Sequence, residues 1–99
     1  MLSSKQRAKL RAFANQIEAS VMVGKDGITE TVMGQILTDL SAHELVKIAI
    51  MPNADVDAKQ TINELAKILD AEPVQAIGRK MVLYKYSTKC KNHVLANDN

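Results

Sequence analysis

An apolar run from Leu45 to Met51, interrupted only by Lys47, constrains the fold of this chain more than any other feature. The run is aliphatic and partly β-branched, and Pro52-Asn53 follows it, which is the pattern of a strand that ends in a turn. A shorter run of the same kind covers residues 20–23. Because both runs are nearly continuous in apolar character, they predict parallel strands that are buried on both faces of a sheet.

Three segments with helical periodicity alternate with these strands. They cover residues 3–18, 29–42 and 55–71. Ser3 and Gln6 have the spacing of a capping box at the first helix, and Thr29 is the predicted N-cap of the second. Apolar residues recur at intervals of three and four, so each helix presents one apolar stripe to the sheet. The stripe of the third helix comprises Ile62, Leu65, Ala66 and Leu69.

Two further strands are predicted at residues 73–77 and 79–86, joined at Gly78 as a hairpin. The order α-β-α-β-α-β-β predicts an α/β fold with a four-stranded mixed sheet packed with helices, and right-handed crossovers between parallel strands. Residues 1–86 form one predicted domain, since no repeat or linker divides them. Residues 87–99 are polar and without periodicity, and we expect a disordered C-terminal tail there.

Composition indicates a soluble protein of a reducing compartment. Apolar residues form 46% of the chain, and Phe13, Tyr84 and Tyr86 are its only aromatic residues, so the core must be aliphatic. Cys90 is the single cysteine, which excludes an internal disulfide. Basic residues interrupt any signal-peptide-like stretch near the N-terminus, and no apolar run is long enough to span a bilayer. We therefore expect a cytoplasmic monomer without a membrane partner.

Charge is strongly segregated along the chain, although the net charge is only +2. Residues 1–11 and 73–97 contain basic residues and no acid, whereas the segment from Asp26 to Glu72 carries most of the 11 acidic residues. If both basic segments lie on one side of the fold, a basic face stands opposite an acidic one. Charged residues usually only solvate a surface, but segregation of this kind favours a polyanionic partner.

A Gly-x-x-Gly loop, Gly24-Lys25-Asp26-Gly27, connects the first predicted strand to the second helix. Glycine lets a ligand approach the backbone closely, and the first turn of a helix offers unpaired N–H groups and the positive end of its dipole. Lys25 adds a positive charge. These features together predict an anion-binding loop, although the two glycines alone would favour a simple turn of the chain.

Four motifs occur in one order and spacing along most of the chain. They are Ser4-Lys5-Gln6-Arg7-x-x-Leu10-Arg11-x-Phe13-Ala14, Val23-Gly24-Lys25-x-Gly27-Ile28-Thr29, Glu44-Leu45-Val46-Lys47 and Ile77-Gly78-Arg79-x-x-Val82-Leu83-Tyr84. Together they resemble the CRM domain, in the stand-alone bacterial form known as the YhbY family, over about residues 2–86. Four motifs in register are far more specific than one Gly-x-x-Gly pair.

The resemblance implies an RNA-binding domain with a fold similar to the C-terminal domain of translation initiation factor three. It also implies association with precursors of the large ribosomal subunit in bacteria, and RNA contact by the loop from Gly24 to Gly27. The family often has glycine where this chain has Asp26. A carboxylate beside a phosphate weakens binding by on the order of 1 kcal/mol at an exposed site. Alternatively, Asp26 caps the following helix and competes with phosphate for the same N–H groups.

The candidate RNA-binding residues combine the basic first helix, the glycine loop and the turn of the predicted hairpin. They are Lys5, Arg7, Lys9, Arg11, Gly24, Lys25, Asp26, Gly27, Arg79 and Lys80. Basic residues at a tight turn also serve solubility alone, so phosphate contact is one of two interpretations for the last pair.

Three residues of the strands have open roles in the same way. Tyr84 and Tyr86 share one face of a continuous strand, where they could stack on bases or, more commonly, pack against the protein. Lys47 could cover the sheet surface or pair with an acid such as Glu44.

Catalysis and metal binding have little support in the sequence. Cys90 and His93 have Cys-x-x-His spacing, but no second pair with ligand spacing accompanies them, so we expect no metal site. No acid–base pair or activated nucleophile accompanies the glycine loop. We therefore expect no enzymatic activity and no cofactor, which disfavours an enzyme acting on a phosphorylated small molecule.

The leading hypothesis is a non-catalytic RNA-binding protein that uses the basic helix and the glycine loop. Its expected partner is ribosomal RNA, or a precursor of the large ribosomal subunit during assembly, which follows from the resemblance. The alternative is a protein-interaction adaptor whose acidic face binds a ribosomal protein or an assembly factor.

Overall fold

The computed structural model describes residues 2–90 and 93–95 and contains the seven elements that the sequence predicts, in the predicted order. They are α1 (Ser4–Ala14), β1 (Val21–Val23), α2 (Glu30–His43), β2 (Leu45–Ile50), α3 (Ala58–Leu69), β3 (Glu72–Ile77) and β4 (Lys80–Tyr84). These alternating helices and strands confirm the predicted α/β class. None of the described helices is both long enough and apolar enough to cross a membrane.

The four strands form one mixed sheet in the order β1-β2-β4-β3. β1 pairs with β2 in parallel, while β4 pairs antiparallel with both β2 and β3. β2 and β3 therefore run in the same direction on either side of β4. The four-stranded mixed sheet is as predicted, and the handedness of its crossovers stays a prediction.

Helices cover the sheet on both faces. Val46 and Ile48 of β2 pack with the buried faces of α2 and α3 in the larger core cluster. The alternate residues of the strands face the other way, and Leu45 and Val82 pack beneath Leu10 of α1 in a second cluster. This burial on both sides explains why β2 is apolar at every position except Lys47. It also places α1 on the opposite face of the sheet from α2 and α3.

Side-chain caps define where the helices begin. The Ser3 hydroxyl accepts a hydrogen bond from the N–H of Gln6, whose side chain accepts one from the N–H of Ser3, so the predicted capping box is present. Thr29 caps α2 by accepting from the N–H of Val32 at 3.2 Å. At α3 the cap is Asp57, which starts the helix later than the predicted residue 55 because the Asp57 backbone is extended.

The β3–β4 hairpin turns at Gly78 and Arg79, between the paired residues Ile77 and Lys80. Gly78 has a φ of 60°, and Arg79 is not in the positive-φ region. A positive φ at the first central residue only is the pattern of a type II′ turn, which glycine adopts without steric cost. The turn therefore holds Arg79 at the exposed tip of the sheet.

The segment that follows β4 is described at residues 87–90 and 93–95, while residues 91–92 and 96–99 of the predicted disordered tail lie outside the described residues. The Ser87 hydroxyl donates to the carbonyl oxygen of Ser41 at 2.7 Å. Val94 and Leu95 pack against the core cluster beneath α1. At these positions the chain contacts the domain.

Candidate functional site

The glycine loop and the hairpin turn meet at one end of the sheet. Val23, the last residue of β1, accepts a 2.8 Å hydrogen bond from the N–H of Met51, the residue after β2. Ile50 donates to the carbonyl oxygen of Arg79 at 2.7 Å, and the Arg79 guanidinium donates to the Met51 carbonyl oxygen at 3.1 Å. The parallel pairing of β1 with β2 and the antiparallel pairing of β2 with β4 thus bring Gly24 and Arg79 to the same end of the sheet, although the two residues are distant in sequence.

Residues 24–27 form a tight turn, closed by a 3.0 Å hydrogen bond from the N–H of Gly27 to the carbonyl oxygen of Gly24. Gly27 has a φ of 73°, a backbone conformation that residues other than glycine rarely adopt. A Cβ added at Gly24 or Gly27 would have no neighbour within 4 Å. The backbone of the loop is therefore open to a ligand, with Lys25 exposed at its tip.

The Asp26 carboxylate is exposed and forms no hydrogen bond with any described residue. The capping role considered for it belongs to Thr29, which occupies the N–H of Val32. The first two N–H groups of α2, those of Glu30 and Thr31, have no acceptor among the described residues. An anion at this helix start would therefore meet unpaired donors, and it would also lie near the charge of Asp26.

The sheet face on the α1 side is only partly covered by that helix. Strand register places Met22, Ala49, Lys80 and Ile77 in one row across all four strands on this face. Met22 is 53% exposed and Ile77 is 65% exposed. Lys80, on the inner strand β4, is also exposed. The row lies beside the glycine loop, so Lys80 and the loop border one open surface, which we call the strand-end surface: residues 22–27, Ile77, Arg79 and Lys80.

The basic side chains of α1 lie on the same sheet face but near its other end. Arg7 donates to the carbonyl oxygen of Pro73 and lies 3.9 Å from the carboxylate of Glu72. Both partners are at the start of β3, whose six residues separate them from the hairpin turn by roughly 17 Å. The predicted basic residues therefore form two groups rather than one cluster.

The four basic residues of α1 also differ in what they contact. Lys5 and Lys9 are exposed and form no ion pair with a described residue, while Arg11 is half-buried one turn after Arg7. Arg7 instead ties the helix to β3. Lys5 and Lys9 are therefore the α1 side chains with the most freedom to meet a polyanion.

The sequence alone does not decide the roles of three residues, and the structure shows contacts within the protein for each of them. The Lys47 ammonium donates to the carbonyl oxygens of Ala14 and Ile17 at 2.9 and 3.0 Å, so it caps the end of α1 and does not pair with Glu44. Tyr84 is buried beneath α1, and that burial raises the pKa of its hydroxyl. Tyr86 lies beyond β4 and stacks on His93 at a ring-centroid distance of 4.8 Å. The two tyrosines therefore do not form a joint stacking platform.

Glu44 has a structural role that the sequence alone does not indicate. It ends α2 at a φ of 66°, and its side chain is completely buried. The carboxylate accepts hydrogen bonds from the N–H of Ser87 at 2.8 Å and of Val94 at 3.0 Å, and lies 2.7 Å from Nδ1 of His93. Burial alone would raise the pKa of this carboxyl, but the hydrogen bonds outweigh it and the net pKa is lowered. An ionised Glu44 thus fastens Ser87, His93 and Val94 to the end of α2.

Several known proteins are similar to this chain over most of its length. The sequence model of the CRS1/YhbY (CRM) domain matches residues 2–85. "Probable RNA-binding protein YqeI" of Bacillus subtilis is 35% identical over 91 residues, which are 92% of this chain and 95% of that protein. An "RNA-binding protein" of Haemophilus influenzae is 38% identical over 91 residues, 91% of each chain.

One solved structure shares the fold over nearly its whole length. It is the solution structure of the hypothetical protein SAV1595 from Staphylococcus aureus, which superimposes with a TM-score of 0.75 at 35% sequence identity. The match covers 89% of this chain and 92% of that protein.

Proposed function

This chain belongs to the CRS1/YhbY (CRM) domain family, and from that premise we propose that it is a non-catalytic RNA-binding protein that uses the strand-end surface and the basic face of α1. The observation that carries the proposal is the meeting of the open glycine loop with Arg79 and Lys80 at one end of the sheet. The names of the relatives in Bacillus subtilis and Haemophilus influenzae support the same ligand class.

Phosphate groups are the part of RNA that this surface suits. Lys25 and Lys80 are exposed and form no ion pair with a described residue, so no intramolecular charge competes with a phosphate. Gly24 and Gly27 let the RNA backbone approach the protein backbone, and the N–H groups at the start of α2 can donate to phosphate oxygens. Lys5 and Lys9 extend the contact along the same face of the sheet.

The side chains of the open row argue for structured RNA over stacked single-stranded bases. Recognition of unpaired bases commonly uses aromatic side chains on an exposed sheet. The open row here exposes Met22, Lys80 and Ile77, with the buried Ala49 between them, and none of these residues is aromatic. Two basic groups separated along one face instead suit the phosphates of a folded RNA, which proteins read by shape and backbone.

We place the RNA in the large ribosomal subunit, as ribosomal RNA or its precursor during assembly in the cytoplasm. The resemblance of the four motifs to the YhbY family supports this assignment. It requires neither a cofactor nor catalysis, and a monomer would suffice because both basic groups lie on one chain.

The test is binding to fragments of large-subunit ribosomal RNA over a salt series. We compare wild type with Lys25→Ala, Lys80→Ala and a Lys5→Ala/Lys9→Ala double variant. Lys59→Ala and Lys67→Ala are matched controls, because both lysines are exposed on α3, across the sheet from α1. Each lysine that contacts a phosphate should lower the slope of log affinity against log salt by about one when it is removed.

The outcomes separate the alternatives. Slopes reduced by the first set and unchanged by the α3 controls support the proposed surface. Equal effects from both sets would mean unspecific attraction, and binding that ignores the first set would move the site elsewhere.

A protein-binding role for the acidic face is the second candidate. Helix α3 exposes Glu64 together with Ile68, which is 68% exposed and apolar. An exposed isoleucine beside acids suits a basic protein partner, such as a ribosomal protein. Glu64→Lys should abolish that association without changing RNA binding, and association that survives the charge reversal would reject this role.

A further inference from the structure

Three side chains with metal-binding donors meet where α2 ends and the segment after β4 begins. They are Glu44, Cys90 and His93, and one ligand atom from each lies within 4.8 Å of the other two. Glu44 and Cys90 are buried and His93 is half-buried. No part of the proposed RNA-binding surface contributes to this cluster.

We propose that Glu44, Cys90 and His93 bind one zinc ion through the Cys90 sulfur, an imidazole nitrogen and a Glu44 carboxylate oxygen. Sulfur, nitrogen and oxygen donors together suit Zn²⁺, which accepts all three kinds in tetrahedral sites. Zinc bonds of about 2.0–2.3 Å place tetrahedral ligand atoms about 3.5 Å apart. The cluster therefore needs only small side-chain rotations to close on an ion.

The surroundings of the three residues orient them for this role. The N–H groups of Ser87 and Val94 hold the Glu44 carboxylate in place, as outer hydrogen bonds commonly do for metal ligands. The Tyr86 ring stacks on the His93 imidazole with planes only 10° apart, which fixes the orientation of that ring. A cleft between α1 and the end of α2 reaches Cys90 and gives an ion a path into the site.

Binding has a defined proton balance. The Cys90 thiol releases its proton to the solvent, and so does a protonated imidazole, because the coordinating nitrogen must present a lone pair. The 2.7 Å hydrogen bond between Glu44 and Nδ1 of His93 is then exchanged for bonds to the ion. Three protein ligands leave the fourth position of the tetrahedron to water. The ion would hold Cys90 and His93 against Glu44 at the end of α2, and so would join two segments that are distant in the sequence.

The sequence pattern alone could not support this proposal, because Cys-x-x-His supplies only two ligands. The third ligand, Glu44, comes from a segment more than forty residues earlier in the chain. Only the fold brings it to the pair.

The experiment uses the full chain, reduced and freed of metal with a chelator. Cobalt(II) is added as a spectroscopic substitute for zinc, and Zn²⁺ is then added in competition. We expect one cobalt ion per chain, with a thiolate-to-cobalt charge-transfer band and the intense visible absorption of tetrahedral cobalt, both removed by Zn²⁺. Cys90→Ser should abolish the charge-transfer band, and His93→Ala should weaken cobalt binding by at least tenfold, as expected for loss of a ligand.

Controls separate loss of a ligand from loss of the fold. His43→Ala removes an exposed histidine next to Glu44 that is outside the cluster, and should bind cobalt as wild type does. Far-UV circular dichroism checks that Cys90→Ser and His93→Ala stay folded. Wild type without a thiolate band, or a folded Cys90→Ser variant that keeps it, would overturn the proposal. RNA binding is measured separately and does not depend on this result.

Discussion

The guanidinium of Arg79 donates a 3.1 Å hydrogen bond to the carbonyl oxygen of Met51, which joins the β3–β4 hairpin to the end of β2. Met51 in turn donates its N–H to Val23, the residue before the glycine loop. The acceptor for Arg79 is a neutral carbonyl, so the positive charge is positioned without being neutralised. The hairpin, the strand end and the loop thus form one supported surface.

Arg79→Ala should weaken RNA binding in two ways, by removing a charge and by loosening the hairpin. We expect the salt slope to fall by about one, as for loss of one phosphate contact. Arg79→Lys keeps the charge and should preserve most of the slope, although it loses the planar donor geometry. The measurement is RNA affinity over a salt series, and a slope that Arg79→Ala leaves unchanged would contradict a phosphate contact at this residue.

The two glycines of the loop should respond differently to alanine. Gly27 has a φ of 73°, whereas Gly24 is not in the positive-φ region, and a Cβ would meet no neighbour at either position. Gly27→Ala should therefore lower the free energy of unfolding by about 1–2 kcal/mol through backbone strain alone. Gly24→Ala is the matched control and should change it by much less. Urea unfolding measures both, and equal losses would mean that the φ of Gly27 is not what requires glycine.

Local patterns in the sequence predict the elements of this fold well. The helical stripe of α3 is buried as predicted, and the Ser3–Gln6 capping box is present, because both depend on residues only a few positions apart. Phe13 and Leu37 have the same apolar spacing on the first two helices and were expected to be buried, yet each is 46% exposed. The spacing of apolar residues shows which side of a helix is apolar. It does not show how far the sheet extends beneath that side, which depends on the whole fold.

Contacts between distant segments were the part that the sequence could not supply. Lys47 caps α1 at Ala14 and Ile17, and Glu44 binds residues after β4. No local pattern identifies either partner. The same limit applies to the candidate site, since the sequence groups the basic residues by type while the structure divides them between α1 and the strand ends.

Replacing Lys47 by methionine tests its role at the end of α1. Lys47→Met keeps the aliphatic stem but removes both hydrogen bonds to the Ala14 and Ile17 carbonyl oxygens. We expect a loss of about 1–3 kcal/mol in the free energy of unfolding, because the Ile17 carbonyl oxygen loses its donor and the Ala14 carbonyl oxygen keeps only the N–H of Ile17. Lys59→Met on the exposed side of α3 is the control and should stay within about 0.5 kcal/mol of wild type. A Lys47→Met variant as stable as the control would show that water replaces the lysine freely.

Removing the charge of Asp26 should tighten RNA binding. The carboxylate is exposed in the glycine loop and has no hydrogen bond to a described residue, so Asp26→Asn removes repulsion of phosphate without breaking a contact within the described residues. The gain should be on the order of 1 kcal/mol at low salt and smaller at high salt, because salt screens exposed charges. Glu64→Gln on α3 changes the net charge equally and controls for long-range attraction. Unchanged or weaker binding by Asp26→Asn would count against direct contact between the loop and RNA.

Glu44 offers the most demanding test of the packing between α2 and the segment after β4. Glu44→Gln keeps the shape of the side chain but replaces one acceptor oxygen by an NH₂ group, so the N–H of Ser87 or of Val94 loses its acceptor. We expect a loss of about 1–3 kcal/mol in the free energy of unfolding. Glu44→Ala should cost more, because it removes every acceptor and leaves a void in a completely buried position.

Urea unfolding in the presence of a chelator measures these losses without any contribution from a bound metal. Glu64→Gln is the matched control, since it makes the same chemical change on the exposed surface of α3 and should shift stability by less than about 0.5 kcal/mol. Hydrogen exchange at the amides of Ser87 and Val94 then locates the effect: in Glu44→Gln they should exchange faster than the amides of β2. Protection of both amides as strong as in wild type would show that Glu44 does not hold this segment in solution.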